Sequence, residues 1–153
     1  MIRLRNPVRG QVPASEIETA YRKAFNMLAE GWFTRLLRTL SGGLSPFQFA
    51  DAYYQETNET LIKLILDNDN TNLQKYVPED LDCDDFTFRL MGVFHQNIET
   101  AAMPIFIAWV MIPEGGHAVI SYVTNTGEVM IIEPQNDQIF PVPKDWSLLL
   151  LCG

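Results

Sequence analysis

Three polar residues of this chain have the types and the order that nucleophilic chemistry requires. Cys83 lies at the start of a helical stretch, His117 follows a Gly-Gly pair at the start of a strand-like segment, and Glu133 ends the next such segment. A helix N-terminus stabilises a thiolate through its free N–H groups and its dipole. A histidine can accept the thiol proton, and a carboxylate can orient the imidazolium that forms. The pattern predicts a catalytic triad of Cys83, His117 and Glu133 that attacks an amide carbonyl.

The predicted sheet explains why the histidine and the glutamate should meet. Asn125-Thr126-Gly127 is typical of a tight hairpin and lies midway between them. Antiparallel strands joined by a hairpin place the start of one beside the end of the next, so we expect His117 and Glu133 to be neighbours. Cys83 and Glu133 also have ordinary explanations, because cysteines are often small buried residues and carboxylates often end strands.

Acidic residues surround the cysteine. The segment 79–85 carries five carboxylates, and negative neighbours disfavour ionisation of a thiol. Either these acids form a solvated helix start, or a positive group offsets them. Cationic His117 is one candidate. Calcium, which takes carboxylate and carbonyl oxygens, is another. Gln135, in the loop after Glu133, would supply a further oxygen.

The two halves of the chain differ in periodicity. Helical spacing predicts helices that start at Ser15, Ser45 and Asp82. The first continues through Trp32 and Leu36. The second half reads as strands at 105–112, 117–124, 128–133, 140–143 and 147–151. The expected fold class is α+β, with N-terminal helices followed by an antiparallel sheet. We expect one domain over 1–153, with an extended arm (1–13), a helical half (14–72) and a catalytic core (73–153).

Composition and charge exclude several partners. The chain has 153 residues, with 11 Lys and Arg against 19 Asp and Glu, a formal charge of −8. Such a surface repels nucleic acid and anionic membranes, so neither is an expected partner. The apolar run Met103–Ile112 is too short to span a bilayer. The N-terminus has no secretory pattern, which favours a cytoplasmic or phage-associated location. Two cysteines make no disulfide framework.

Three short motifs, in this order, resemble a known family. Asp-Cys-Asp-Asp-Phe (82–86), Gly-Gly-His-Ala-Val (115–119) and Ile-Glu-Pro-Gln (132–135) are similar to the C-terminal domain of the Marasmius oreades agglutinin. The resemblance covers residues 75–153 and implies a papain-like, calcium-dependent cysteine protease with a peptide or protein substrate. It matches the triad to the catalytic residues and assigns the calcium site to Asp84, Asp85 and Gln135. The sugar-binding β-trefoil that precedes this domain in the agglutinin is absent here, so the resemblance implies no lectin activity.

Two other functions stay open at this stage. The chain could be a non-catalytic interaction or structural protein on the same fold, with the N-terminal helices and the basic arm used for homo-oligomerisation or docking. A transferase or deamidase could also use the same triad. Rapid alkylation of Cys83 below pH 7 would separate a nucleophile from a structural thiol.

Overall fold

The computed structural model describes residues 10–27, 45–78 and 81–153. The predictions for residues 1–9, for the helix continuing through Trp32 and Leu36, and for Glu79 and Asp80 lie outside the described residues. None of the described helices is long and apolar enough to cross a membrane.

A seven-stranded, mostly antiparallel sheet forms the centre of the described structure. The strand order is β2-β9-β5-β6-β7-β8, and β3 also pairs with β9. A separate two-stranded sheet joins β1 and β4. The strands are β1 (Gln11–Pro13), β2 (Asn26–Met27), β3 (Phe47–Gln48), β4 (Tyr53–Gln55), β5 (Ile105–Ile112), β6 (Gly115–Val123), β7 (Val129–Glu133), β8 (Gln138–Pro141) and β9 (Ser147–Cys152). The helices are α1 (Ala14–Ala24), α2 (Glu59–Leu66), α3 (Cys83–Gln96) and α4 (Ile98–Ala101), with a 3₁₀ turn at Thr71–Leu73.

Both faces of the sheet are buried, which is why β5 reads as a continuous apolar run. Alternate residues of β5, β6 and β7 pack under α1 in one core, here called the α1-side core. The intervening residues pack under α2 and α3 in a second core, the α3-side core. The period of two along each strand therefore assigns every sheet residue to one of two helical layers. The α1-side core includes Ile17, Tyr21, Phe106, Val119 and Ile131, and the α3-side core includes Ile62, Leu90, Phe94, Ile107, Ile120 and Ile132.

The predictions for the second half are confirmed at the level of elements. Strand β5 has the predicted bounds, and the hairpin forms between β6 and β7. Gly127 takes a φ of +80°, a left-handed conformation that a glycine adopts without strain. Helix α3 begins at Cys83, one residue after its N-cap Asp82.

The helix expected to start at Ser45 is wrong over its first part. Residues 47–48 and 53–55 form strands, and only Glu59–Leu66 is helical. Aromatic side chains explain the difference, because Phe49 and Tyr54 each pack edge-on against Phe106 of β5, with ring centroids 5.5 and 5.2 Å apart. In the sequence, these aromatic residues have a spacing that is also typical of a helix, although the chain there is extended. The expectation of helices first and an antiparallel sheet afterwards is corrected accordingly, since β2 and β3 pair parallel to β9.

Candidate functional site

The histidine and glutamate predicted from the sequence are in direct contact. Nε2 of His117 lies 2.7 Å from Oε2 of Glu133, and each side chain is only 15% exposed. The backbone N–H of Gln135 donates to the other carboxylate oxygen of Glu133 at 3.3 Å. The bond between His117 and Glu133 uses Nε2 of the imidazole and leaves Nδ1 for another partner. The predicted neighbourhood of these two residues is confirmed, while their catalytic role stays a prediction.

An aromatic ring lies against the imidazole. Trp146 meets His117 edge-on, with ring centroids 6.3 Å apart and planes at 90°. Trp146 also packs edge-on against Phe140 of β8 and borders the α1-side core. The α1-side core therefore extends to His117 through Trp146. Trp146, which precedes β9, reaches this position only through the sheet pairing.

Cys83 is tied to the same end of the sheet through its backbone. The hydroxyl of Thr87 lies 2.7 Å from the carbonyl oxygen of Cys83 and 3.0 Å from that of Ala118, which is the residue after His117. Cys83 itself is half-buried and carries a free thiol. Within the described residues no hydrogen bond joins its Sγ to His117. The side chains of His117 and Glu133 are thus in direct contact. Cys83 is linked to the same region through its backbone carbonyl, which Thr87 contacts.

The acidic residues at the start of α3 contact one another. The ligand atoms of Asp82, Cys83 and Asp84 all lie within 4.8 Å of one another. A hydrogen bond with Asp84 raises the pKa of Asp82, and burial and the charge of Asp84 raise it further. One carboxyl oxygen of Asp82 is buried without a hydrogen-bond partner. Asp85 accepts from the backbone N–H of Asp82 at 3.3 Å, which directs it to the helix cap.

This acidic cluster fits a cation only in part. Two adjacent carboxylates, one with an unpartnered oxygen, are suitable ligands for a hard cation such as calcium, whereas a thiol is not. Of the predicted ligands, Asp84 belongs to the cluster and Asp85 is held by the cap. In the described structure no contact joins Gln135 to either aspartate.

A second acidic group joins the segment 69–72 to Asp137 in the turn after β7. Asn72 donates to Asp137 at 2.5 Å. Burial first, and then the negative charge of Asp69, raise the pKa of Asp137 to about 6. Asp137 has a φ of +57°, a left-handed conformation that Asp and Asn tolerate better than most residues. Only the tertiary fold brings residues 69, 72 and 137 together.

A cleft of about 570 Å³ lies at the other end of the β6–β7 hairpin. Its walls come from the start of α2 and from the hairpin turn, and they include Glu59, Thr60, Thr126 and Glu128. Because His117 and Glu133 occupy the opposite ends of β6 and β7, this cleft is separate from the candidate site.

Comparison with solved structures shows the fold. No family model and no curated protein sequence matches this chain. A structure named as a PSL1a–E64 complex is 15% identical, with a TM-score of 0.73, and covers 94% of this chain and 51% of its own. A structure of Polyporus squamosus lectin bound to Neu5Acα2-6Galβ1-4GlcNAc is also 15% identical, with a TM-score of 0.70, and covers 94% of this chain and 50% of its own. The chain therefore shares a fold with about half the length of these proteins.

These matches correct three predictions. The assignment to the C-terminal domain family of the Marasmius oreades agglutinin is not the one they support, because the named neighbour is a Polyporus squamosus lectin. The papain-like α+β fold class is overturned by the same finding and by the strands in the N-terminal half. The description as a hydrolase and cysteine protease is likewise not supported, and a peptide or protein substrate has no support from the neighbours.

Proposed function

We propose that this chain is a non-catalytic binding domain whose ligand contacts the surface formed by His117, Glu133 and Trp146. The fold match over 94% of the chain to a protein named as a lectin is the observation that carries this proposal. That neighbour binds a sialylated trisaccharide, so a glycan is the ligand class to test first. The chain spans only half of the neighbour, and the test must therefore be made on this chain itself.

The chemistry of this surface suits a polyhydroxylated ligand. A carboxylate accepts hydrogen bonds from hydroxyl groups, and an imidazole nitrogen can donate or accept. The half-buried Trp146 adds an apolar ring beside these polar groups. Binding sites for small molecules commonly combine aromatic walls with a few well-placed polar groups.

Isothermal titration with Neu5Acα2-6Galβ1-4GlcNAc tests this proposal. We expect heat of binding in the wild type, and its loss in Trp146→Ala and Glu133→Gln. Two matched controls should bind normally: Trp109→Ala, which removes a tryptophan packed against Phe88, and Glu128→Gln in the separate cleft. Absence of binding at millimolar trisaccharide, or equal loss in the controls, would contradict a glycan site at this surface.

A second candidate function is favoured by the bond between His117 and Glu133. In this proposal Cys83 is a nucleophile, His117 accepts its proton, and Glu133 orients the imidazole. The 2.7 Å bond is the arrangement that fixes a histidine tautomer, with Nδ1 turned to another partner. The thiolate would form a bond from sulfur to an electrophilic carbon while the leaving group departs from that carbon. The Sγ proton would pass to Nδ1.

Peptide-resolved alkylation with iodoacetamide tests the second candidate. Burial raises the pKa of Cys152, which makes that thiol a slow internal reference in the same sample. We expect Cys83 to react faster than Cys152 at pH 6, and His117→Ala to abolish the difference, with His95→Ala as the matched control. E64, the compound named with one neighbour, supplies a second probe, read as an added mass lost in Cys83→Ser. Equal, slow alkylation of both thiols would refute an activated thiol and leave the binding function.

We also propose that calcium binds at the start of α3. Support comes from the paired carboxyls of Asp82 and Asp84 and the unpartnered oxygen of Asp82. Asp85 and Gln135, the other predicted ligands, would have to turn toward this pair. Millimolar calcium should raise the Tm of the wild type and not that of Asp84→Asn. An equal rise in both proteins would indicate that any bound calcium lies elsewhere.

A further inference from the structure

One buried hydroxyl lies between α3, which carries Cys83, and β6, which carries His117. Thr87 is fully buried in the second turn of α3. Its Oγ1 lies 2.7 Å from the carbonyl oxygen of Cys83 and 3.0 Å from the carbonyl oxygen of Ala118. The first contact stays inside the helix, while the second crosses to β6. A single side chain therefore touches the backbone of the residue that carries the thiol and of the residue next to His117.

Packing alone does not require a hydroxyl at this position. Valine has nearly the same shape, and the apolar sheet face beneath α3 would accommodate its methyl group. Threonine brings a buried polar group that must be satisfied, and the carbonyl of Cys83 would suffice for that. The one hydroxyl proton is shared between the two carbonyl oxygens, and the contact with Ala118 links the first turn of α3 to the first residues of β6.

We infer that Thr87 is a positioning residue that sets Cys83 against His117. The inference rests on the second candidate function, because its consequence is the reactivity of the Cys83 thiol. Without the cross-link, the first turn of α3 could shift along β6. The shift would carry the thiol and the acidic cluster away from the imidazole without removing any of these groups. A small displacement of reacting groups lowers the reaction rate strongly, even when every reacting group is still present.

The test compares alkylation of Cys83 in Thr87→Val, Thr87→Ser and Thr100→Val across pH 5 to 9. Thr100 is a matched control, because its buried hydroxyl also bonds a backbone carbonyl, that of Phe94, at the far end of α3. Thr87→Val should slow alkylation at pH 6 about tenfold relative to Cys152, the effect of one lost hydrogen bond. Thr87→Ser should restore the rate, and Thr100→Val should lower Tm without changing the alkylation profile.

The outcomes separate this inference from the function on which it depends. If the wild type shows no fast thiol, the second candidate function and the role of Thr87 fall together. If the wild-type thiol is fast and Thr87→Val keeps the same pH profile with a lower Tm, Thr87 is only structural and this inference alone is overturned. Thr87→Ala provides the same reading should Thr87→Val fail to fold.

Discussion

Replacing Tyr21 by phenylalanine removes one hydroxyl from the contact between α1 and the sheet. The hydroxyl lies 2.7 Å from Oγ of Ser121 on β6, and both residues are fully buried. Burial raises the pKa of Tyr21 far above its ordinary value, so the hydroxyl is neutral at every pH at which the protein is handled. The ring also packs edge-on against Phe106 at 5.9 Å, a contact that phenylalanine preserves.

The magnitude follows from what each single change leaves behind. Tyr21→Phe leaves the buried Ser121 hydroxyl without its partner, and Ser121→Ala does the same to the Tyr21 hydroxyl. An unsatisfied buried hydroxyl costs about 1 to 3 kcal/mol. The double variant removes both groups and should lose much less than the sum of the two singles. In a domain of this size, each kcal/mol corresponds to about 2 to 4 °C in Tm.

Urea unfolding of the four proteins in the cycle, followed by tryptophan fluorescence, measures the coupling. We expect a coupling free energy of about 1 kcal/mol or more. Thr19→Ala is the matched control, because it removes an exposed hydroxyl from the same helix and should change stability by less than about 0.5 kcal/mol. Additivity of the two core changes within about 0.3 kcal/mol would refute the hydrogen bond as a stabilising link between α1 and β6.

Three further predictions concern the site and its surroundings. Glu133→Gln replaces a charged acceptor by a neutral one beside His117; if the thiol is activated, alkylation at pH 6 should fall about fivefold, corresponding to about 1 kcal/mol, and an unchanged rate would exclude an orienting role. The pKa of Asp137 is raised to about 6, so its ionised form opposes folding at pH 7; that cost shrinks as pH falls below 6 and vanishes near the unfolded-state pKa of about 4. Asp137→Asn, measured by thermal unfolding in chelator, should therefore raise Tm at pH 7 and not at pH 4, by about 1 kcal/mol at most after solvent screening; equal Tm values at pH 7 would contradict this. Asn125 bonds both the N–H and the carbonyl of Thr57, at 2.8 and 3.0 Å, so Asn125→Ala should cost about 1 to 2 kcal/mol in urea unfolding, and a smaller loss would mean that the hairpin turn holds without it.

Some of the site could be predicted because it depends on local rules. Alternation along two strands and a hairpin signal between them are sufficient to make His117 and Glu133 neighbours. The start of α3 at Cys83 follows from an Asp N-cap before a helical stripe. These features depend on residues close in sequence, or on one hairpin, and the structure reproduces them.

Other features involve residues far apart in the chain. The segment 46–55 reads as helix, yet it is held in strands because β9 and β1 offer backbone partners and Phe106 offers an aromatic face. Thr87 contacts Ala118, and Trp146 contacts His117, only because the sheet places α3, β6 and β9 at one end. A threonine four residues after Cys83 on a buried helix face is a local sign of the first contact, whereas no local signal marks the second.

The sequence by itself determined the strand pattern of the second half, the hairpin, the start of α3 and the pairing of His117 with Glu133. Each depends on the period of two in a strand, on capping or on turn chemistry, which act within a few residues. The tertiary structure alone decided the strands of the first half, the aromatic and hydroxyl contacts around Cys83 and His117, and the raised pKa of Asp137. Those depend on burial and on partners distant in sequence, whose free energy exceeds the small local preferences of the chain.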